Sequence, residues 1–188
     1  MGTRTVQRAH RCYVRAVSVT LHPVELSTWA AVVALSVSDA QLAYVSPVAT
    51  MLALTRHHRA VHPYAVYADG RAVGFFLLNF DPRTTAHYRA PQGVGLEGFV
   101  IDLAEQGKGY GPAALRALGA LLRKAHPEVL EVNLTVNCAN IAAVRAYLKA
   151  GFEDTGRLYE GGRSGPQHIF RLPLPRTLVL DAFEPPSR

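Results

Sequence analysis

The amino-acid sequence predicts an α/β fold, a mixed sheet covered by helices. Two observations carry this. Tyr64 to Ala68 and Arg71 to Phe80 are apolar runs separated by Asp69-Gly70, a pair suited to the positive φ angles of a tight hairpin turn. From Leu96 onward, stretches of period two alternate with stretches of period 3.6, so strands and helices follow one another.

The elements follow in order. Tyr13 to Leu21 alternates, with Val17, Val19 and Leu21 on one face, and reads as a strand that His22-Pro23 ends. Ser27 or Thr28 can cap a short helix carrying Trp29, Val32, Val33 and Leu35. Ser38-Asp39 reads as a second cap, Pro47 interrupts, and Ala49 to His58 reads as another helix. Asp81-Pro82 ends the second hairpin strand. Arg83 to Gly95 is polar and glycine-containing, so a loop is expected. Leu96 to Leu103 is the next strand. Leu115, Leu118, Leu121, Leu122 and Ala125 then mark one face of a helix opening at Pro112. Leu130, Val132, Leu134 and Val136 alternate with polar residues as a strand. Asn140 caps a helix with the stripe Ile141, Val144, Tyr147 and Leu148, and Gly151 stops it. Phe152 to Tyr159 and Gln167 to Leu174 are two last strands joined through Gly161-Gly162.

The 188 residues fit one domain. We expect a basic flexible arm over 1–11, a catalytic domain over 12–174 and a proline-rich tail over 175–188. At 49% hydrophobic and 18% charged, the chain can fill a core and does not read as disordered. Cys12 and Cys138 are too few for a disulfide framework or a four-thiolate zinc site, and a cytoplasmic location is expected. No apolar run approaches the ~18 residues of a membrane span. The net charge is +6, and Arg4, Arg8, Arg11 and Arg15 all precede the first acid. Without a groove-reading motif this arm does not make a nucleic-acid binder. His57, His58 and His62 have no Cys or carboxylate at ligand spacing, so no metal site is expected. Cys138 reads as a small buried residue rather than a nucleophile. Leu178-Val179-Leu180 is apolar enough to pack, on its own chain or exchanged within a homodimer.

The segment with the most chemistry is Gln106-Gly107-Lys108-Gly109-Tyr110-Gly111-Pro112, between a strand and a helix. Free N–H groups at a helix start and its dipole favour negative charge, and glycines let the backbone approach phosphate oxygens. A Walker loop would need Ser or Thr after Lys108, where Gly109 stands. The dinucleotide fingerprint fits Gly109, Gly111 and Ala114. Its acid, Glu131, would stand at the wrong end of the strand, and the loop comes late in the chain.

The spacing Gln106-x-x-Gly109-x-Gly111 directly after a strand resembles the acyl-CoA pyrophosphate loop of the GNAT superfamily of N-acetyltransferases. Asn140-Ile-Ala-Ala143 followed by Tyr147-x-x-x-Gly151-Phe152 is similar to a second motif of that family, in the right order. Tyr64 to Phe75 and Phe99 to Asp102 resemble its diamine and spermidine acetyltransferase branch, although Glu97 stands where that branch often has an aromatic residue. The resemblance covers roughly Tyr13 to Leu174 and implies a mostly antiparallel, twisted sheet with splayed central strands. It also implies acetyl transfer from acetyl-CoA, used as co-substrate, to a primary amine such as a polyamine. A protein N-terminus or an amine-bearing antibiotic is the alternative acceptor, and a silent CoA-binding module the alternative of another class.

The resemblance also implies roles. The 106–112 loop would hold the pyrophosphate. Ile101 and Leu103 would pair their backbones with the pantetheine arm. Lys108, Arg116 and Arg123 could neutralise phosphates, though the two arginines equally suit a solvated helix face. Tyr147 would be the general acid for the departing thiolate. From the residues alone it could equally be a core tyrosine. Asn140 could bond the pantetheine amides or simply cap its helix. Glu97 could attract the amine or relay its proton, or be a solvated strand end. Asp81 is a weaker candidate for a second ammonium, and Asp102 and Glu131 read as structural.

Overall fold

The Asp69-Gly70 turn organises the first half of the sheet. In the computed structural model, which describes residues 17–174, these residues have φ of 47° and 75°. They join β2 (Val61–Ala68, numbered after the short β1 at Thr20–Pro23) to β3 (Arg71–Asn79) in an antiparallel pair. β4 (Gly93–Ile101), β5 (Glu131–Asn137), β6 (Glu153–Tyr159) and β7 (Gln167–Pro173) complete a seven-stranded sheet in the order β1-β2-β3-β4-β5-β7-β6. Every neighbouring pair is antiparallel except β4 with β5.

Helices cover both faces. α1 (Trp29–Val33) and α2 (Val48–Thr55) bury Val32, Met51 and Leu52 against Phe75, Leu77 and Val100. α4 (Tyr110–Ala125) and α5 (Ile141–Lys149) pack on the opposite face over Phe76, Leu78, Val94 and Phe170. Phe75 and Leu77 thus serve one core and Phe76 and Leu78 the other, the period-two logic of a central strand. Leu115, Leu118 and Leu122 on α4 are at most 1% exposed. Each such side chain contributes on the order of 1.5–3 kcal/mol of transfer free energy. α3 (Pro82–Thr85) is a single turn after β3. No helix among the described residues is long and apolar enough to cross a membrane.

Several expectations are corrected. Among the described residues the first strand runs over Thr20–Pro23 rather than ending before His22-Pro23, and residues 13–16 of the expected strand lie outside the described residues. Pro23 is tolerated because β1 is an edge strand, where a missing N–H costs no ladder bond. Thr28 precedes α1, but its hydroxyl donates to Glu25 O instead of capping. The expected loop over Arg83 to Gly95 contains most of α3 and the first three residues of β4, Gly93 to Gly95. β4 stops at Ile101: Asp102 caps a 3-10 turn over Leu103–Glu105, so Leu103 is not a strand residue. Ala125, Ile141 and Leu148 are exposed, and the inner face of α5 is Ala143, Val144, Tyr147 and Ala150. The arm over 1–11 and the tail over 175–188, with Leu178 to Leu180, lie outside the described residues.

Candidate active site

β4 and β5 pair only where Gly93–Gly95 meets Glu131–Asn133. Beyond that register they part, as the splayed-strand expectation requires. The cause lies in β4. Gly98 has φ of +58°, and a Cβ there would overlap the Met51 sulfur. The register against β3 slips between Phe75 and Leu77 at the same level. A bulge bends one strand and interrupts its ladder, which is how parallel neighbours come apart. The gap becomes a cleft of about 730 Å3 lined by Leu96 to Ile101 on one side and Thr135 to Asn137 on the other. The free sheet edge along it can receive an extended, amide-bearing chain as an added strand.

The glycine loop closes one end. Gly107 and Gly109 have φ of 77° and 86° on either side of Lys108, and Gly109 is the N-cap of α4. This alternation turns successive N–H groups into a concave nest for an anion. The N–H groups of residues 107 to 111 accordingly have no hydrogen-bond partner among the described residues. Gln106 works from outside the nest. Its Nε2 donates to Ile101 O at 2.9 Å, and it exchanges hydrogen bonds with Gln41 at 3.1 and 3.3 Å. The loop, the end of β4 and the α1–α2 connection are thereby tied together. Gly109→Val would place a β-branched residue at φ 86°, strained by about 1–2 kcal/mol. We expect the Kd for CoA to rise at least about tenfold while the melting temperature falls by only about 2–8 °C, so that the protein stays folded, measured by calorimetric titration and thermal melts.

Of the residues expected at the site, Glu97, Ile101, Gln106, Gly107, Gly109, Tyr110, Gly111, Pro112, Asn140 and Tyr147 all line this one cleft. Leu103 and Lys108 do not. The Leu103 N–H donates to Ser36 O at 2.8 Å, and Lys108 Nζ pairs with Glu105 at 2.9 Å from an exposed position. Arg116 and Arg123 are exposed and outside the lining. Asp81 is consumed by α3. It accepts from the Arg83 N–H at 2.9 Å and pairs with the Arg83 guanidinium at 2.9 Å. Those bonds hold its carboxyl down at about 2. Asp102 accepts from the N–H of Ser36, and Glu131 accepts from Asn133, so both are structural. Asn140 caps α5 by accepting from the Ala143 N–H at 3.2 Å. Among the described residues no cluster of three or more metal-ligating side chains occurs.

Tyr147 and Glu97 stand on different walls. The Tyr147 ring packs on Phe152 at 5.5 Å, Phe99 at 6.3 Å and Phe170 at 6.4 Å between centroids. Its hydroxyl has no hydrogen-bond partner among the described residues, and burial pushes the phenol above its ordinary range. Glu97, half-buried, accepts from Tyr88 Oη at 2.6 Å and Asn79 Nδ2 at 2.9 Å. Burial, and then the adjacent Glu97, push the Tyr88 phenol well up as well. The arrangement offers an anion nest, a free strand edge, a protonated phenol and a carboxylate around one cavity. That suffices to hold an elongated phosphate-bearing thioester beside an amine.

Sequence reasoning missed Gly98, Asn79, Thr84 and Tyr88. A lone glycine inside a strand pattern does signal a bulge, and Glu97-Gly98 carried that signal. Nothing local marks Tyr88, which reaches the cleft from the turn after α3.

Residues 29–152 match the model of the acetyltransferase (GNAT) family. The spermine/spermidine N(1)-acetyltransferase of Bacillus subtilis (strain 168) is 30% identical over 141 residues, 75% of this chain and 91% of that protein. An uncharacterized N-acetyltransferase of the same strain, YbbJ, is 35% identical over 97 residues, 51% of this chain and 61% of the relative's length. Among solved structures, aminoglycoside acetyltransferase AAC(6')-Ib in complex with coenzyme A and kanamycin superposes with a TM-score of 0.66 at 22% identity, covering 83% of this chain and 95% of that one. Spermidine N-acetyltransferase from Vibrio cholerae in complex with CoA and spermine gives 0.64 at 17% identity, covering 84% and 96%.

Proposed function

The chain belongs to the GNAT acetyltransferase family, and from that membership we propose that it transfers the acetyl group of acetyl-CoA directly to a small primary amine. The observation that carries this reading is the parting of β4 and β5 beside five N–H groups at the start of α4 that have no hydrogen-bond partner among the described residues. When bound, acetyl-CoA supplies an activated acyl carbon and a thiolate leaving group. The residues of this chain do the rest.

The 107–111 nest holds the pyrophosphate, and the free edge of β4 takes the pantetheine amides. Glu97 receives the acceptor as an ammonium and takes one proton, which frees the lone pair for attack on the thioester carbonyl. Backbone N–H groups of β4 beside the cleft oppose the negative charge that develops on the carbonyl oxygen. As the C–S bond breaks, the Tyr147 hydroxyl gives its proton to the departing sulfur. The new amide loses its remaining extra proton to solvent, and solvent also takes the proton held by Glu97 and returns one to the Tyr147 oxygen, so one proton is released per acetyl group transferred. Asn140 is already engaged as a helix cap, and Lys108 as a partner of Glu105, so neither is needed for this sequence of events.

For the acceptor, the spermine/spermidine relative supports a polyamine or diamine. Among the described residues two carboxylates line the cleft, Glu97 and Glu105; Glu105 is paired with Lys108, and Asp81 is spent on Arg83, which leaves Glu97 for the acceptor. A panel containing spermine, spermidine, putrescine, kanamycin and an alanine-initiated peptide tests the assignment through kcat/KM. We expect a polyamine or diamine to lead by about tenfold or more. Leadership by kanamycin or the peptide would overturn the polyamine assignment and leave acetyl transfer standing.

A further inference from the structure

Two buried side chains outside the proposed chemistry converge on Glu97. Tyr88 is 7% exposed and Asn79 is 4% exposed. Both donate to the same atom, Glu97 Oε1, at 2.6 and 2.9 Å. Glu97 Oε2 accepts no hydrogen bond among the described residues. Satisfying two buried donors requires only some acceptor. Placing both on one oxygen does more, because it fixes the carboxylate plane and leaves the second oxygen for another cation or donor.

The surrounding fold is shaped around this contact. A Cβ on Gly95 would overlap Tyr88 Oη, so the phenol reaches Glu97 through a slot that only glycine leaves open. Tyr88 is anchored by its N–H donating to Thr85 O at 3.0 Å. Thr85 belongs to α3, whose start is set by Asp81. Asn79 ties the ends of this segment together. Its Oδ1 accepts from the Asp81 N–H at 2.9 Å, and its Nδ2 also donates to Thr84 Oγ1 at 3.0 Å. Glu97, Tyr88 and Thr84 all line the cleft.

We propose that Tyr88 and Asn79 are positioning residues that clamp Glu97 Oε1 so that Oε2 meets the acceptor amine. This rests on the role given to Glu97 above. The clamp acts through Glu97.

A double-mutant cycle tests it. Tyr88→Phe removes one hydroxyl and keeps the ring. We expect kcat/KM for the amine to fall about tenfold or more, as for a lost hydrogen bond to a charged group. The fall should come mainly from kcat, with Kd for CoA unchanged. In a Glu97→Gln background the same change should cost less than about twofold. Asn79→Ala should behave likewise, and thermal melts confirm that each variant is folded. If Tyr88→Phe keeps full activity while Glu97→Gln is impaired, the clamp is overturned alone. If the tyrosine effect is equally large in both backgrounds, Tyr88 merely supports the fold. If Glu97→Gln is itself unimpaired, the role of Glu97 falls and the clamp with it.

Discussion

Tyr147→Phe is expected to lower kcat by about 100-fold or more while the Kd for CoA changes less than about twofold. General-acid assistance contributes on the order of 10²–10⁴ in rate, and the thiolate leaving group is where a proton is needed. The substitution isolates the hydroxyl. The ring would keep its contacts with Phe99, Phe152 and Phe170, and no hydrogen bond among the described residues is lost. The fold should therefore tolerate it. The pH dependence has a definite sign. Burial raises this phenol above its ordinary value of 10.0, so it keeps its proton as pH rises. Wild-type activity should show no alkaline loss from this group below about pH 10. Retention of full activity in Tyr147→Phe would remove it as the acid and return it to the core.

Glu97→Gln should reduce kcat/KM for the amine by about 100-fold or more near pH 7. An alkyl amine with a pKa near ~10.4 is almost wholly protonated there, and its lone pair is unavailable until a proton is removed. The deficit should shrink as pH approaches that value, because solvent then supplies the neutral amine. Rates of thiol release from pH 7 to 10 on both proteins check this. A deficit that stays constant with pH would mean that Glu97 binds the acceptor without handling its proton.

The sequence showed best those parts governed by local rules. Asp69-Gly70 adopts the positive φ angles its residue types favour. The apolar face of α4 is buried at Leu115, Leu118 and Leu122. The glycine loop stands at the head of that helix, its N–H groups without partners among the described residues. The failures have tertiary causes. Gly93 and Gly95 looked like loop residues, yet they begin β4. They are glycines because a Cβ would overlap Asn133 Oδ1 or Tyr88 Oη. Leu103 looked like strand because it is apolar and alternates correctly, but Asp102 turns the chain into a 3-10 helix and Ser36 takes its N–H. Ile141 and Leu148 looked like core. The sheet meets α5 along the other two residues of the expected stripe, Val144 and Tyr147. The carboxylate of Asp81 could not be discounted until Arg83 was seen to hold it. The Tyr88 contact to Glu97 joins the turn after α3 to β4 and has no periodic signature at all.

One measurement bears most directly on the central claim of amine-dependent acetyl transfer within this cleft. Wild-type protein is mixed with carbonyl-labelled acetyl-CoA and a primary amine, and free CoA thiol and labelled N-acetylamine are counted together. Direct transfer predicts thiol and acetylamine in a one-to-one ratio, with thiol release dependent on the amine. Tight CoA binding with no amine-dependent thiol release across the acceptor panel would contradict the account and leave a CoA-binding module in its place.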